Sequence, residues 1–294
     1  MTDGRDGADT AVSAPSRPIA GRRAEFEQRQ RRRSTFVAAI STVLVAAAII
    51  LIVPLAPGWD DVRASFFDPD EFRNALPKLV EPFLLNLRLF AICAPLIVVC
   101  GLLVAMARNV RSPALYPLRL VAAAYTDVVR GVPVILWIYL IGFGMPGLFQ
   151  ERAWYTKPIV WACVALVLCY SAYVAEVFRA GIESVHESQR AAARSLGLSQ
   201  SQTMRGVVLP QAVRRVVPAL MNDFVSLQKD VALVSVVGVV EALRRAQILQ
   251  QKTYNFTPIV AAAVLFLCVS IPLTRFTDHL LARERRRTSG TVVS

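Results

Sequence analysis

Six stretches of about 20 residues with few charges, at 36–57, 82–107, 132–149, 158–175, 217–240 and 258–276, leave this chain few ways to fold. A hydrocarbon core of roughly 30 Å is crossed by about 20 apolar residues in an α-helix, which pairs all its backbone polar groups internally. The stretches predict six transmembrane helices and an all-α integral membrane protein. Composition agrees, since 55% of the 294 residues are hydrophobic and the mean hydropathy is +0.47, too apolar for a soluble domain. The first stretch starts well inside the chain and lacks a small-residue cleavage site, so it reads as a retained anchor rather than a signal peptide.

Orientation follows from the short connections, because Lys and Arg accumulate on the cytoplasmic side. Arg22, Arg23, Arg29, Arg31, Arg32 and Arg33 precede the first stretch, and Arg108, Arg111 and Arg119 follow the second. Arg179, Arg190, Arg194, Arg205, Arg214 and Arg215 follow the fourth, and Arg283, Arg285, Arg286 and Arg287 follow the last. All four segments are expected in the cytoplasm. Between the first two stretches Asp60, Asp61, Asp68, Asp70, Glu71 and Glu81 outnumber Arg63, Arg73 and Lys78, as suits an outer loop. The expected organisation is a disordered basic tail over 1–34, an extra span over 35–57 and an extracytoplasmic loop over 58–81. A transmembrane domain over 82–282 and a basic tail over 283–294 complete it. Arg244, Arg245 and Lys252 break the pattern, because the alternation puts their loop outside.

The positive-inside rule absorbs the net charge of +12, and no aromatic-basic interleaving supports a nucleic-acid partner. Cys93, Cys100, Cys163, Cys169 and Cys268 lie in apolar stretches without Cys-x-x-Cys spacing and read as buried thiols. His186 and His279 stand alone, so no metal site is expected. A phosphate-binding Gly-x-x-x-x-Gly-Lys-Ser/Thr loop is also missing from the sequence, and no cofactor is expected. Any ATP driving this chain would be bound by another polypeptide.

Residues 183–218 form a polar island between two apolar stretches. Ile182, Val185, Gln189, Ala192, Ala193 and Leu196 recur at helical spacing, while Glu183, Glu187, Arg190 and Arg194 fall on the opposite face. Gly197 supplies a left-handed stop. Ser199 and Gln202 then form a capping box that starts a second, short helix, which Pro210 ends or bends. The helix, turn and helix can dock on a protein in the water or lie on the cytoplasmic leaflet.

Ionisable side chains inside a span cost several kcal/mol and usually face a polar interior. Lys229 and Asp230 fall near the middle of 217–240 and, being adjacent, point about 100° apart on a helix. Lys229 can meet a substrate carboxylate or pair with another helix. Asp127 with Arg130, and Glu176 with Arg179, repeat an i,i+3 spacing that permits self-pairing, snorkelling to the headgroups or lining of a pathway. Gly131 and Pro133, directly after Arg130, predict a break or kink, where freed backbone groups can serve a zwitterion if they line a cavity. Asn222 joins these candidates as a polar residue within a span.

The spacing of Ala192-Ala193, Gly197 and Val207-Val208-Leu209-Pro210 resembles the EAA loop of ABC-importer permeases. Tyr-Thr-Asp-Val-Val-Arg-Gly-Val-Pro over 125–133, Ala-Tyr-Val-Ala-Glu-Val-Phe-Arg-Ala-Gly-Ile over 172–182, Asn222, and Leu-Gln-Lys-Asp-Val-Ala-Leu over 227–233 narrow the resemblance. Together they are similar to the polar amino-acid uptake permeases of the histidine, glutamine, glutamate and arginine type, over roughly residues 81–276. The resemblance implies a five-helix permease core, so the first stretch is an added helix. It also implies a coupling loop over 181–218 that fits a groove on a separate ABC ATPase, with two ATPase subunits serving two permeases, self or sister. An extracytoplasmic solute-binding protein would deliver the amino-acid substrate. On this reading Glu187, Gln189, Ala191, Ala192, Ala193, Leu196, Gly197, Leu209 and Pro210 couple to the ATPase. Lys229, Asp230, Asn222, Glu176, Arg179, Asp127 and Arg130 line the pathway. The acid that names the motif is replaced by Ala191, and Glu187, one turn earlier, is expected to take over part of its role. A secondary transporter driven through Lys229, Asp230 and Glu176 is the rival reading; it usually shows two repeated halves, which are not visible here. An intramembrane enzyme would need a paired catalytic motif that the sequence lacks.

Overall fold

A computed structural model describes residues 18–110, 112–149 and 153–289, which are helical with no strand among them. Residues 1–17 and 290–294, parts of the two expected tails, lie outside the described residues. The chain divides into two units, Met1–Arg63 and Ala64–Ser294.

In the first unit helix α1 (Pro18–Ile52) runs into a 3-10 turn (Val53–Leu55). The helix reaches back well before residue 35, so 18–34 are helical where composition predicts disorder. Its apolar part, Ser34–Leu55, is 22 residues long and has the length of a membrane span. Phe36, Leu44 and Ile50 are all exposed, as in a helix that is apolar all round. Helix α2 (Trp59–Phe66) lies at the junction of the units.

The second unit opens with α3 (Pro69–Arg108), a helix of 40 residues. Asp68 caps it, its Oδ1 accepting the N–H of Asp70 at 2.9 Å and of Glu71 at 3.2 Å, and Pro69 takes the first position, where no N–H is needed. Much of the segment expected as an outer loop is therefore helical. The third apolar stretch holds one short helix, α5 (Val134–Leu148), and the helix before it, α4 (Tyr116–Gly131), meets it at 106° across Val132 and Pro133. Proline disfavours helical backbone at the residue before it, and Val132 is extended. Helix α5 alone, at 15 residues and about 22 Å, is too short to cross.

Helix α6 (Pro158–Glu183) is the central helix of this unit, with half of its apolar window buried against 11% in the last helix. Leu166 and Val174 on α6 meet Cys93 and Ile97 of α3, Ile138 of α5 and Leu227 farther along, all in one core. The approach to α3 is close: a methyl at Gly101 would lie 2.5 Å from Val174 Cγ1. Helix α7 (Glu187–Ser195), helix α8 (Gln200–Thr203) and a π-turn (Met204–Val208) lead into α9 (Leu209–Asp230).

The fifth apolar stretch departs most from expectation. Helix α9 stops at Asp230, a 3-10 segment (Val231–Val237) follows, Gly238 turns the backbone at φ +86°, and α10 (Ala242–Thr253) begins. Asn222, Asp223, Gln228, Lys229 and Asp230 dilute the apolar run at that point, and no single helix fills 217–240. Helix α11 (Thr257–Ser289) closes the unit and extends the last expected span into the basic tail. Four helices among the described residues are long and apolar enough to span, five if the bent α4–α5 pair counts as one.

Candidate functional site

At the C-terminal ends of α3, α4 and α6 four of the charged residues come together. Glu176 accepts from Arg108 Nη1 at 2.9 Å and from Arg179 Nε at 3.0 Å, and Arg130 Nη1 lies 3.7 Å away. Arg108 also donates to the buried Thr126 hydroxyl at 2.7 Å, and Arg179 to Glu183. Arg130 lies over the ring of Tyr173, 5.8 Å from its centroid. Of the two expected i,i+3 pairs, Glu176 with Arg179 forms; Arg130 instead reaches across to Glu176, and Asp127 is exposed. One carboxylate thus ties three helices through three guanidinium groups. Arg108 was not singled out from sequence, although its place as the first charge after an apolar run was the available signal.

This cluster is the basis of a stability prediction. Glu176→Gln removes the shared acceptor charge and leaves three partly buried cations facing one another, at a cost of about 2 kcal/mol, less than a fully buried pair because every member keeps some solvent. The midpoint of thermal unfolding in detergent should fall by about 4–8 °C. Arg130→Gln should move it far less, because that side chain is 39% exposed and its contact is long.

The α7–α8 loop has the expected punctuation. Gly197 has φ +82°, its N–H donates to Arg194 O at 2.9 Å, and Leu198 N–H donates to Ala193 O at 3.2 Å, the double closure of a Schellman motif. Ser199 and Gln202 form the reciprocal capping box, with Ser199 N–H to Gln202 Oε1 at 2.8 Å and Gln202 N–H to Ser199 Oγ at 3.3 Å. Pro210 does not end the second helix. It sits in the first turn of α9, after the π-turn, where its missing N–H is accommodated.

The apolar face of α7 is split. Ile182 and Val185 are buried against Val208 and Ala212 and Ala193 is buried as well, whereas Gln189, Ala191 and Ala192 are exposed and Leu196 is 82% exposed. Arg190 folds back to donate to Ile182 O at 2.6 Å, and Arg215 donates to Ser184 O, so two cations fasten the loop to the end of α6. A pocket of about 370 Å³ opens between α7 and α8, lined by Glu187, Ala191, Arg194, Thr203 and Met204 among others. Leu209 and Pro210 stand at the start of α9, directly after Val208, the last residue of that lining.

At the other proposed location Lys229 and Asp230 part company. Asp230 accepts the Tyr170 hydroxyl at 2.7 Å, whereas Lys229 and Asn222 are exposed. Next to them Gln228, 1% exposed, accepts from Ser270 Oγ at 2.6 Å, while its Nε2 has no partner among the described residues. The α-helix ends within this polar group, which puts backbone carbonyls and polar side chains at one level of the fold.

A further polar pair escaped the sequence reading. Glu241, fully buried, caps α10 by accepting the N–H of Leu243 at 2.9 Å and of Arg244 at 2.8 Å, and it also accepts Asn86 Nδ2 of α3 at 2.9 Å. Asn86 Oδ1 in turn accepts Ala242 N–H at 3.2 Å. The signal was a polar residue in the middle of an apolar run, Asn86, and an acid immediately before a helix.

Among the described residues no group of three or more His, Cys, Asp or Glu could hold a metal ion. The family model "Binding-protein-dependent transport system inner membrane component" matches residues 97–286. The chain is 31% identical over 202 residues to the arginine transport system permease protein ArtQ of Bacillus subtilis, covering 68% of this chain and 89% of that protein. It is 34% identical over 215 residues to a putative glutamine transport system permease protein GlnP of Rickettsia bellii, covering 73% and 95%. Among solved structures, a chain of an amino acid ABC transporter with histidines superposes with a TM-score of 0.63 at 33% identity, covering 71% of this chain and 94% of that one. A chain of the inward-facing MetNI methionine ABC transporter shares the fold, with a TM-score of 0.57 at 21% identity over 70% and 95% of the two chains.

Proposed function

Since the chain belongs to the family of inner membrane components of binding-protein-dependent transport systems, we propose that it carries a polar amino acid across the cytoplasmic membrane, inward, on energy from ATP. It is a multi-pass ABC permease subunit, and ATP hydrolysis belongs to a separate chain. The observation that supports the substrate class is the match, over about nine-tenths of their lengths, to relatives named for arginine and glutamine transport.

In this reading both termini and the α7–α8 loop are cytoplasmic, as the arginine distribution favours. The loop docks on an ABC ATPase pair through exposed Leu196, Ala191, Ala192 and Gln189, with Leu209 and Pro210 passing the motion to α9. Glu187, which lines the same pocket as Ala191, supplies part of the charge that Ala191 lacks. Two permeases, identical or sister chains, share one pathway in the lipid bilayer, and an extracytoplasmic binding protein delivers substrate. Lys229, Asp230, Asn222 and the Glu176, Arg179, Arg130 and Asp127 region line that pathway. Nucleotide favours the closed ATPase pair, and a rigid docked loop biases the permease between its two states.

Uptake by membrane vesicles containing the whole transporter tests this. Labelled arginine, glutamine, glutamate and histidine should be screened, and uptake of at least one should need ATP, stop with vanadate and survive collapse of the ion gradients. Uptake that ignores vanadate and collapses with an ion gradient would instead establish a secondary transporter.

A further inference from the structure

One of the charges that breaks the positive-inside pattern, Arg245, lines a pocket with three further charged residues. About 420 Å³ in volume, it lies between α3 and the start of α10, lined by Lys78, Glu81, Leu85 and Arg88 on one side and Val240 and Arg245 on the other. The α3 residues recur at helical spacing and so share a face. After Arg88 the helix carries no charge from 89 to 107, about 28 Å of apolar helix, before Arg108 and its bond to Glu176. The pocket therefore opens at one surface of the hydrocarbon layer, and the cluster around Glu176 lies at the other. That is the surface opposite the arginine-rich loop, where cations have no part in setting orientation.

None of Lys78, Glu81, Arg88 and Arg245 is in an ion pair among the described residues, and their side chains make no hydrogen bond there either. Three cations and one acid around an open volume match a zwitterion, with a carboxylate for the guanidinium groups and an ammonium for Glu81. The far wall is well placed and well held. Val240 ends the broken stretch after α9, and broken helices border substrate paths in transporters. The next residue, Glu241, is locked to Asn86, two positions from Arg88, so both walls are fixed to each other. Lys78, Glu81 and Arg88 also precede residue 97, where the family match begins, so most of this pocket is built outside the matched region.

We propose that this pocket is a receiving site for a free amino acid, its carboxylate held by Arg88 and Arg245 and its ammonium by Glu81, before it enters the membrane path. The site rests on the amino-acid permease reading and adds a place and a set of contacts to it. Lys78, about 15 Å farther from the apolar layer than Arg88, draws the carboxylate in without closing on it.

Equilibrium binding of the labelled amino acid that wild-type vesicles take up, measured on the assembled transporter without its binding protein, tests the site. Arg88→Gln and Arg245→Gln should each weaken binding about tenfold, the loss of one charged contact. Glu81→Gln should weaken it as well. Thermal unfolding of each variant should match wild type, because Glu81 and Arg88 are exposed and Arg245 is half-buried. If wild-type vesicles take up none of the four amino acids, the parent reading fails and the site with it. If they do take one up but the three variants bind it as wild type does, the receiving site alone is overturned. Tighter retention of anionic lipid by Glu81→Gln, with amino-acid binding unchanged, would overturn it in favour of a lipid phosphate.

Discussion

Replacing Gly197 with valine is expected to cut the amount of ATPase that co-purifies with the chain by about tenfold or more, while Gly197→Asn keeps it within about threefold of wild type. A methyl at this position would meet nothing within 4 Å, so the expected loss is not a matter of space. It comes from φ +82°, where an L-residue with a branched side chain pays about 1–2 kcal/mol or more and asparagine pays least after glycine. The double closure by Gly197 N–H and Leu198 N–H needs that backbone, and it fixes the angle between α7 and α8. Valine releases the angle and with it the relative positions of Leu196, Ala192 and the pocket beside Ala191. The surrounding loop is exposed, so the unfolding midpoint should stay within about 2 °C of wild type. Glu187→Gln, in the same capture experiment, should lower ATPase recovery by about threefold if it stands in for the missing acid. Full ATPase recovery with Gly197→Val would remove the α7–α8 loop from the coupling route.

The parts of this fold that the sequence made legible are those decided within a few residues. Gly197, the Ser199–Gln202 box and the break ahead of Pro133 are backbone constraints written at single positions, and each appears where its residue type predicts. Hydropathy located four of the six expected spans as single long helices among the described residues, and it missed the bend ahead of the third and the break within the fifth. The break after Asp230 depends on polar side chains finding partners on other helices, Tyr170 for Asp230 and Ser270 for Gln228, and one-dimensional spacing carries no such information. Arg130 illustrates the same limit. An i,i+3 spacing puts Asp127 within reach, but Arg130 lies instead over the Tyr173 ring and 3.7 Å from Glu176, both on another helix, and spacing along one helix does not show such contacts. The periodicity of α7 gave a stripe without saying what would cover it. Ala193 is covered by this chain, whereas Ala192 and Leu196 are left exposed, because a surface for a partner carries the same pattern as one for the core.

Glu241→Leu is expected to produce the largest loss of stability of any single change considered, about 2–4 kcal/mol, although leucine is close to glutamate in volume. Removing the α10 cap costs about 1 kcal/mol. The larger part comes from α3, where Asn86 is fully buried and loses the acceptor for its Nδ2. A buried amide donor without a partner costs about 1–3 kcal/mol. The unfolding midpoint in detergent should drop by about 5–15 °C. Glu241→Gln keeps an acceptor oxygen and should lose less than half as much. The decisive variant is the double one, Asn86→Leu with Glu241→Leu, because it removes the orphaned Asn86 amide and should restore that part of the midpoint, while the N–H groups of Ala242, Leu243 and Arg244 stay without their acceptors and keep the rest of the loss. A single Glu241→Leu variant that unfolds at the wild-type temperature would show that the buried pair does not hold α10. With the midpoint partly restored in the double variant, amino-acid binding measured well below its unfolding temperature would report what the pair contributes as a fixed wall beside Arg88 and Arg245, separately from what it contributes to folding.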